Sequence, residues 1–135
     1  MTIHTTEIRV RYAETDQMGV VYHGNYAQYF EVSRVEWLRS LGVSYKEMEE
    51  QGVALPVVNL NVNFKKPAIY DELLFVKTKL REKPGVKIIL DQEIYNENQD
   101  LLTTAEIVLV FVNTATKRSM QCPDYLLEKL GCLTL

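Results

Sequence analysis

Cysteine is scarce in this chain. Two among 135 residues, Cys122 and Cys132, are too few for a disulfide framework or for a zinc site built on thiolate pairs. Both are expected as free thiols in a reducing compartment, which makes the protein cytoplasmic. Positive charge is not in excess either: 15 Lys and Arg stand against 18 Asp and Glu, a formal net charge of −3. A dedicated nucleic-acid binder usually shows the opposite balance, so no nucleic-acid partner is expected. A local basic patch for a phosphorylated small molecule stays compatible with this charge. Long apolar runs are missing. No segment approaches the ~20 apolar residues of a membrane span, and the N-terminal MTIHTTEIRVRY has no apolar core of the kind a signal peptide carries. Repeats, low-complexity runs and linkers are absent. What is present is an ordinary globular composition, 47% hydrophobic and 24% charged. The length fits a single domain over residues 1–135. A chain of this size buries roughly two-thirds of its unfolded surface and needs no staples.

The hydrophobic period changes along the chain. Residues 7–12 alternate, with Ile8, Val10 and Tyr12 on one face and Glu7, Arg9 and Arg11 on the other, which predicts a half-buried strand. Residues 13–22 hold Thr15, Asp16, Gln17 and Gly19 and read as a loop. From Asn25 to Leu41 the period is helical. Tyr26, Phe30, Trp37 and Leu41 form a stripe that Ala27 and Leu38 widen. Val32 and Val35 lie on other faces, so this helix is expected to be enclosed, with Gly42 as its stop. Ser44–Gln51 predicts a short second helix with Ser44 as N-cap and Glu47 completing a capping box. Alternation then predicts strands around residues 58–64, 74–81, 86–95 and 101–112, separated by turns at Lys83-Pro84-Gly85 and Asn96–Asp100. A terminal helical turn follows Pro123. This order implies an α+β fold in which an antiparallel sheet curls around one long central helix.

The stretch Tyr12–Tyr29, YAETDQMGVVYHGNYAQY, carries the candidate chemistry. Asp16 is a carboxylate in a loop directly before the helix, and His23, Gly24 and Asn25 sit at the helix entrance. The first amides of a helix lack internal partners and point outward with the positive end of the macrodipole. A thioester carbonyl placed there would meet donors where negative charge develops. A carboxylate seven positions upstream of His23 could supply a nucleophile or a base. Each residue also has a plain alternative. Asp in such a loop forms turns or caps helices, and His at a helix start often caps or packs. From spacing alone both remain open.

The run V-R-Y-A-E-T-D-Q-M-G-V-V-Y-H-G-N-Y, followed by a helix and strands, resembles the 4-hydroxybenzoyl-CoA thioesterase family of hotdog proteins. It is most similar to the bacterial branch encoded beside the Tol-Pal system. The likeness covers roughly residues 5–130. It implies a hotdog fold, a long central helix wrapped by a five-stranded antiparallel sheet. It implies hydrolysis of an acyl-CoA to a free acid and coenzyme A. Asp16 matches the family's catalytic carboxylate, and Tyr22, His23 and Gly24 match the segment whose backbone amides polarise the thioester carbonyl. His23 would help hold the carboxylate, and Asn25 completes the substrate-binding entrance. Position 23 is commonly Tyr in the 4-hydroxybenzoyl-specific enzymes, so His23 points away from that substrate. The family further implies a homodimer, often paired into a homotetramer, with sheets joined edge to edge and sites at the interface.

No metal or redox cofactor is called for, because a thioester is already activated. Rivals within the family are dedicated aromatic enzymes, such as a 1,4-dihydroxy-2-naphthoyl-CoA hydrolase, and acyl-thioester hydratases. Outside catalysis, the rival is an acyl-thioester-binding protein. Val20, Val21, Tyr26 and Phe30 are expected to line the acyl pocket and to favour aliphatic over 4-hydroxybenzoyl groups. Arg34 lies inside the apolar stripe, paired with Glu31 or facing a phosphate or an interface. The lysines 65, 66, 77, 79, 83 and 87, with Arg81, make the strand edges basic.

Overall fold

The computed structural model describes residues 3–132. In chain order it contains β1 (His4–Arg9), α1 (Tyr26–Ser40), α2 (Tyr45–Glu50), β2 (Val53–Ala54), β3 (Val57–Phe64), β4 (Leu73–Leu80), β5 (Lys87–Tyr95), β6 (Leu101–Val110), β7 (Val112–Asn113), β8 (Arg118–Ser119) and α3 (Asp124–Lys129). Five strands form one antiparallel sheet in the order β1-β4-β5-β6-β3. The alternation read from the sequence thus becomes the expected α+β arrangement of one long helix on five strands. A small second sheet, β2-β7-β8, was not foreseen, because its strands are two residues long and carry no period.

Period two gives the main sheet an apolar face. Leu74, Val76, Thr78 and Leu80 of β4, with Ile88, Leu90, Gln92 and Ile94 of β5, are all buried. That face meets α1, since Gln92 Nε2 donates to the Phe30 carbonyl (3.1 Å) and to Thr78 Oγ1 (2.9 Å). A buried amide bonded to a mid-helix carbonyl ties α1 to the sheet at a fixed height. The opposite face is mixed, with Phe75, Ile89 and Val108 set among charged residues. There Arg81 binds Asp91 and Glu106 on the two neighbouring strands.

α1 ends as its sequence predicts. Gly42 adopts φ 82°, its N–H reaches the Arg39 carbonyl and the Val43 N–H reaches that of Leu38, which completes a Schellman cap. Ser44 caps α2 through its hydroxyl, which accepts from the Glu47 amide. The reciprocal bond from Glu47 that a full capping box requires is not formed. Cys122 and Cys132 are free thiols, and burial pushes the Cys122 thiol up to about 12.

Three expectations change. Tyr12 is not the end of β1; it opens a 3-10 turn and is 77% exposed. α1 is not enclosed within the protomer, for Ala27 and Val32 face outward. Finally, β3 is not half-buried: Val58 is 57% and Phe64 54% exposed, and no residue of the strand is buried. The cause is the position of α1, which makes its sheet contacts chiefly with β1 and β4 and leaves the β3 edge uncovered.

Phe30 is 0% exposed under this helix. Phe30→Ala is expected to lower folding stability by about 3–5 kcal/mol, read as a shifted urea midpoint.

Candidate active site

The loop between β1 and α1 is built as a short hairpin. A 3-10 turn over Tyr12–Glu14 redirects the chain after the strand, with the Glu14 N–H on the Arg11 carbonyl and the Thr15 N–H on that of Tyr12. Three rungs follow. The Tyr22 N–H donates to the Glu14 carbonyl (2.9 Å), Thr15 bridges Val21, and the Asp16 N–H donates to the Val20 carbonyl (2.9 Å). Asp16 therefore stands at the tip. Its Oδ1 accepts from the Met18 N–H (2.8 Å), and Gly19 closes the turn at φ 77°, a conformation that glycine adopts without strain. The returning arm is pinned to the body of the protein by the Val21 N–H on the Ala68 carbonyl and by a Val20–Ile69 bridge.

The helix entrance is a 3-10 turn over His23–Asn25 that runs straight into α1. The amides of Asn25 and Tyr26 close that turn on the carbonyls of Tyr22 and His23. The amides of His23 and Gly24 have no acceptor among the described residues. They are the orphan donors that a helix start leaves at its positive end. A Cβ at Gly24 would stand 2.6 Å from Cε2 of the exposed Tyr22 ring, so a side chain there would displace that ring. The exposed Tyr22 ring leans instead on His23, with centroids 4.4 Å apart.

Asp16 and His23 border one surface groove of about 280 Å³. Its apolar lining includes Val20, Val21, Tyr26 and Phe64, and its rim carries Lys65 and Lys66. The sequence placed Asp16, His23, Val20, Val21 and Tyr26 together, and so does the fold. Phe30, expected to line an acyl pocket, does not reach the groove; it is wholly buried in the core. Tyr26 is held between Tyr29 and Phe64 by edge contacts at 5.8 and 5.1 Å, and its hydroxyl accepts from the Ala68 N–H (3.3 Å). Asn25 turns inward, and its Nδ2 donates to the Glu14 carbonyl (2.8 Å). Tyr22 and Gly24 lie at the entrance beside the groove rather than in its wall.

Sequence reasoning missed one group and left a second unplaced. The first is Glu14, only 7% exposed. Its Oε1 accepts from the Arg11 amide (2.8 Å) and the Tyr29 hydroxyl (2.9 Å), and its Oε2 from the Arg11 guanidinium (3.0 and 3.2 Å). Burial by itself raises the pKa of this carboxyl. The bonds from the Arg11 amide and guanidinium and from Tyr29 outweigh that and hold it below the usual carboxylate range. Burial, and then the adjoining carboxylate, push the Tyr29 hydroxyl well upward, so it stays a donor. Nothing in the YAETD string announces that its glutamate is buried. The second is Lys65 and Lys66, counted from the sequence only among the basic strand edges. Both of their amides bond the single Leu102 carbonyl (2.8 and 3.0 Å), a bulge that brings two consecutive lysines to the groove.

Other candidates fall elsewhere. Arg34 makes no salt bridge to Glu31 among the described residues. It borders a separate, more enclosed cavity of about 110 Å³ with Trp37, Leu38 and Leu90, and burial lowers its pKa. No group of three His, Cys, Asp or Glu side chains among the described residues is placed to hold a metal ion, and no helix there is long and apolar enough to cross a membrane.

The sign of the Glu14 contribution to stability follows from its lowered pKa. The unfolded chain takes up the proton first, so the stabilisation is full above the ordinary carboxylate range and is lost as pH falls through the folded value. Between about pH 5 and about pH 3 the melting temperature of the wild type should therefore drop further than that of Glu14→Gln, as followed by circular dichroism.

The chain is similar to known proteins over most of its length. It is 40% identical over 121 residues to a Bacillus subtilis protein named putative acyl-CoA thioesterase YneP, covering 90% of this chain and 88% of that one. It is 31% identical over 122 residues to the Escherichia coli acyl-CoA thioester hydrolase YbgC, covering 90% and 91%. Among solved structures, a DHNA-CoA thioesterase from Staphylococcus aureus superposes with a TM-score of 0.87 at 39% identity, covering 99% of this chain and 98% of that one. Residues 10–130 match the thioesterase-like superfamily, and with its long helix on a five-stranded antiparallel sheet the chain belongs to that superfamily as a hotdog protein.

Proposed function

We propose that the protein hydrolyses acyl-CoA thioesters to a free carboxylic acid and coenzyme A, with Asp16 as the reacting carboxylate. One juxtaposition carries the proposal. Asp16 stands at the tip of a hairpin whose other arm leads directly into the unpaired amides of His23 and Gly24, and Asp16 and His23 border one groove. The names of the Bacillus and Escherichia relatives support the same reaction.

A thioester carbonyl resting on the His23 and Gly24 amides is polarised, since fixed donors at a helix start stabilise the oxyanion as it forms. Asp16 then attacks the carbonyl carbon to give an anhydride that water opens, or it takes a proton from a water that attacks directly. In either route the C–S bond breaks and sulfur leaves as the coenzyme A thiolate. His23 shares the groove with Asp16, and its proposed role is to help hold the carboxylate there. Tyr22 and Gly24 shape that entrance, and Asn25 holds it from within. Lys65 and Lys66 stand where the phosphates of coenzyme A would find positive charge.

Within the superfamily, the T-D-Q-M-G-V-V-Y-H run favours the 4-hydroxybenzoyl-CoA thioesterase type and the bacterial branch found beside Tol-Pal. Aliphatic acyl groups are the proposed substrates, because Val20, Val21 and Phe64 bring no polar atom to a phenol and the Tyr26 hydroxyl is engaged with Ala68. An unpaired buried hydroxyl costs on the order of 1–3 kcal/mol. A second reading, an aromatic acyl group, is favoured by the DHNA-CoA thioesterase name of the Staphylococcus aureus structure. The test is release of free thiol from butyryl-, hexanoyl-, palmitoyl- and hydroxybenzoyl-CoA. A tenfold or larger advantage in kcat/KM for the aromatic ester would select the second reading, at about 1.4 kcal/mol per factor of ten. Asp16→Asn, nearly isosteric, should lower turnover by about a hundredfold or more with the fold intact. Near-normal turnover would remove Asp16 from the reaction.

The proposed working form is a homodimer or homotetramer of single-domain protomers in the cytoplasm, where coenzyme A esters are made and free thiols persist. β3 is the support: an edge strand with one free side and exposed Val58, Leu60 and Phe64. Pairing two such edges satisfies their backbone groups and covers their apolar face. Light scattering at micromolar concentration should return twice or four times the 15.6 kDa chain mass, and a monomer would contradict the pairing.

A further inference from the structure

We infer that Glu14 is a positioning residue for the hydrolysis, setting where Asp16 stands relative to the His23 and Gly24 amides. This rests on the function proposed above. Glu14 touches neither the groove nor Asp16 directly, yet it joins every part that frames them. Its carbonyl takes the Tyr22 N–H and Asn25 Nδ2, which closes the neck of the Asp16 hairpin and locks it to the helix entrance. Its carboxylate takes the Tyr29 hydroxyl from the first turn of α1 and the Arg11 amide from the end of the β1 arm. One residue therefore fixes strand, hairpin and helix to one another, and it does so as a buried anion.

A buried carboxylate is costly unless its oxygens are filled. Here Arg11, itself exposed, supplies a two-point contact from the solvent side, and Tyr29 supplies the inner one. An apolar residue at position 14 would fill the space without that expense, but it would set no distance. A hydrogen-bonded carboxylate sets two, to Arg11 and to Tyr29, beside the backbone bond to Tyr22 that any residue here would make. The hairpin tip is otherwise exposed and held mainly by backbone bonds, so the geometry of the neck is transmitted two residues outward to Asp16. A displacement near 1 Å between a catalytic group and its partner donors costs up to about a hundredfold in rate.

The test compares Glu14→Gln, Tyr29→Phe and the double variant. Glu14→Gln keeps the shape and loses the charge. Its kcat on the best acyl-CoA should fall about tenfold while KM stays within about twofold, because positioning acts on the reacting geometry and not on coenzyme A binding. Tyr29→Phe should fall in the same direction, and the double variant should be no worse than Glu14→Gln alone, as for two groups on one bond. Hydrogen exchange gives a readout free of activity. Amides of residues 16–25 should exchange faster in Glu14→Gln while those of β4, β5 and β6 stay as in the wild type. Unchanged exchange at residues 16–25, or a kcat equal to wild type, overturns the inference. So does a loss of kcat that tracks a general loss of sheet protection, since that marks Glu14 as a stability residue only. If Glu14→Gln does not fold, Tyr29→Phe alone decides by the same two readouts. A wild type inactive on every acyl-CoA would defeat the proposed function, while exchange would still report whether Glu14 holds the loop.

Discussion

Everything in this fold follows from how α1 lies on the sheet. The helix buries Tyr26, Tyr29, Phe30, Ser33, Trp37 and Leu38 against strands whose inner face is apolar by alternation. The Gln92 amide, bonded to the Phe30 carbonyl and to Thr78, fixes the height at which it does so. A polar group at such a depth costs free energy unless paired, so its bond to a mid-helix carbonyl acts as a register mark and not as a general attraction. With α1 set over β1 and β4, the helix start is delivered to the edge of the molecule with its first amides facing outward.

That placement makes the loop before the helix chemically useful. A helix start is attractive to negative charge wherever it occurs, and such a feature alone specifies no reaction. Here the chain that leads into it first makes a hairpin with a carboxylate at its tip, so a set of unpaired donors and the proposed reacting group share one local structure of about fifteen residues, from Arg11 to Asn25. The bulge at Lys65 and Lys66 adds cationic groups from a different part of the chain. Local geometry provides the proposed reacting centre, and tertiary contacts provide its surroundings.

The same placement leaves a deficit on the other side. Because α1 favours the β1 side, β3 presents an open hydrogen-bonding edge and a row of uncovered apolar side chains. Exposed edges of this kind invite pairing with another strand, and the groove beside Asp16 includes Phe64 of that same edge. A strand that covered β3 would also stand against one wall of the groove, so the proposed assembly and the proposed catalysis share a boundary.

The sequence by itself determined the long elements and much of the candidate site. Alternation from residue 58 onward fixes four strands because side chains on a pleated strand face opposite sides in turn, and the 3.6 period from Asn25 to Leu41 fixes the helix that Gly42 ends. The candidates Asp16 and His23 were legible because they lie within one short stretch, where chain proximity guarantees spatial proximity. Tertiary structure decided the rest. Alternation says that β3 has an apolar face but not how much of it is covered; only the offset of α1 shows that the protomer covers it in part, at Val62 and where Phe64 meets Tyr26. Phe30 and Tyr26 belong to the same stripe, yet one is core and the other lines the groove, because the stripe runs from the middle of the sheet to its rim. Glu14 reads as a solvated charge between two loop residues. It is a buried anion because Tyr29, fifteen residues away, and the fold of the hairpin neck close over it, and no local pattern encodes a contact that the packing of a helix creates.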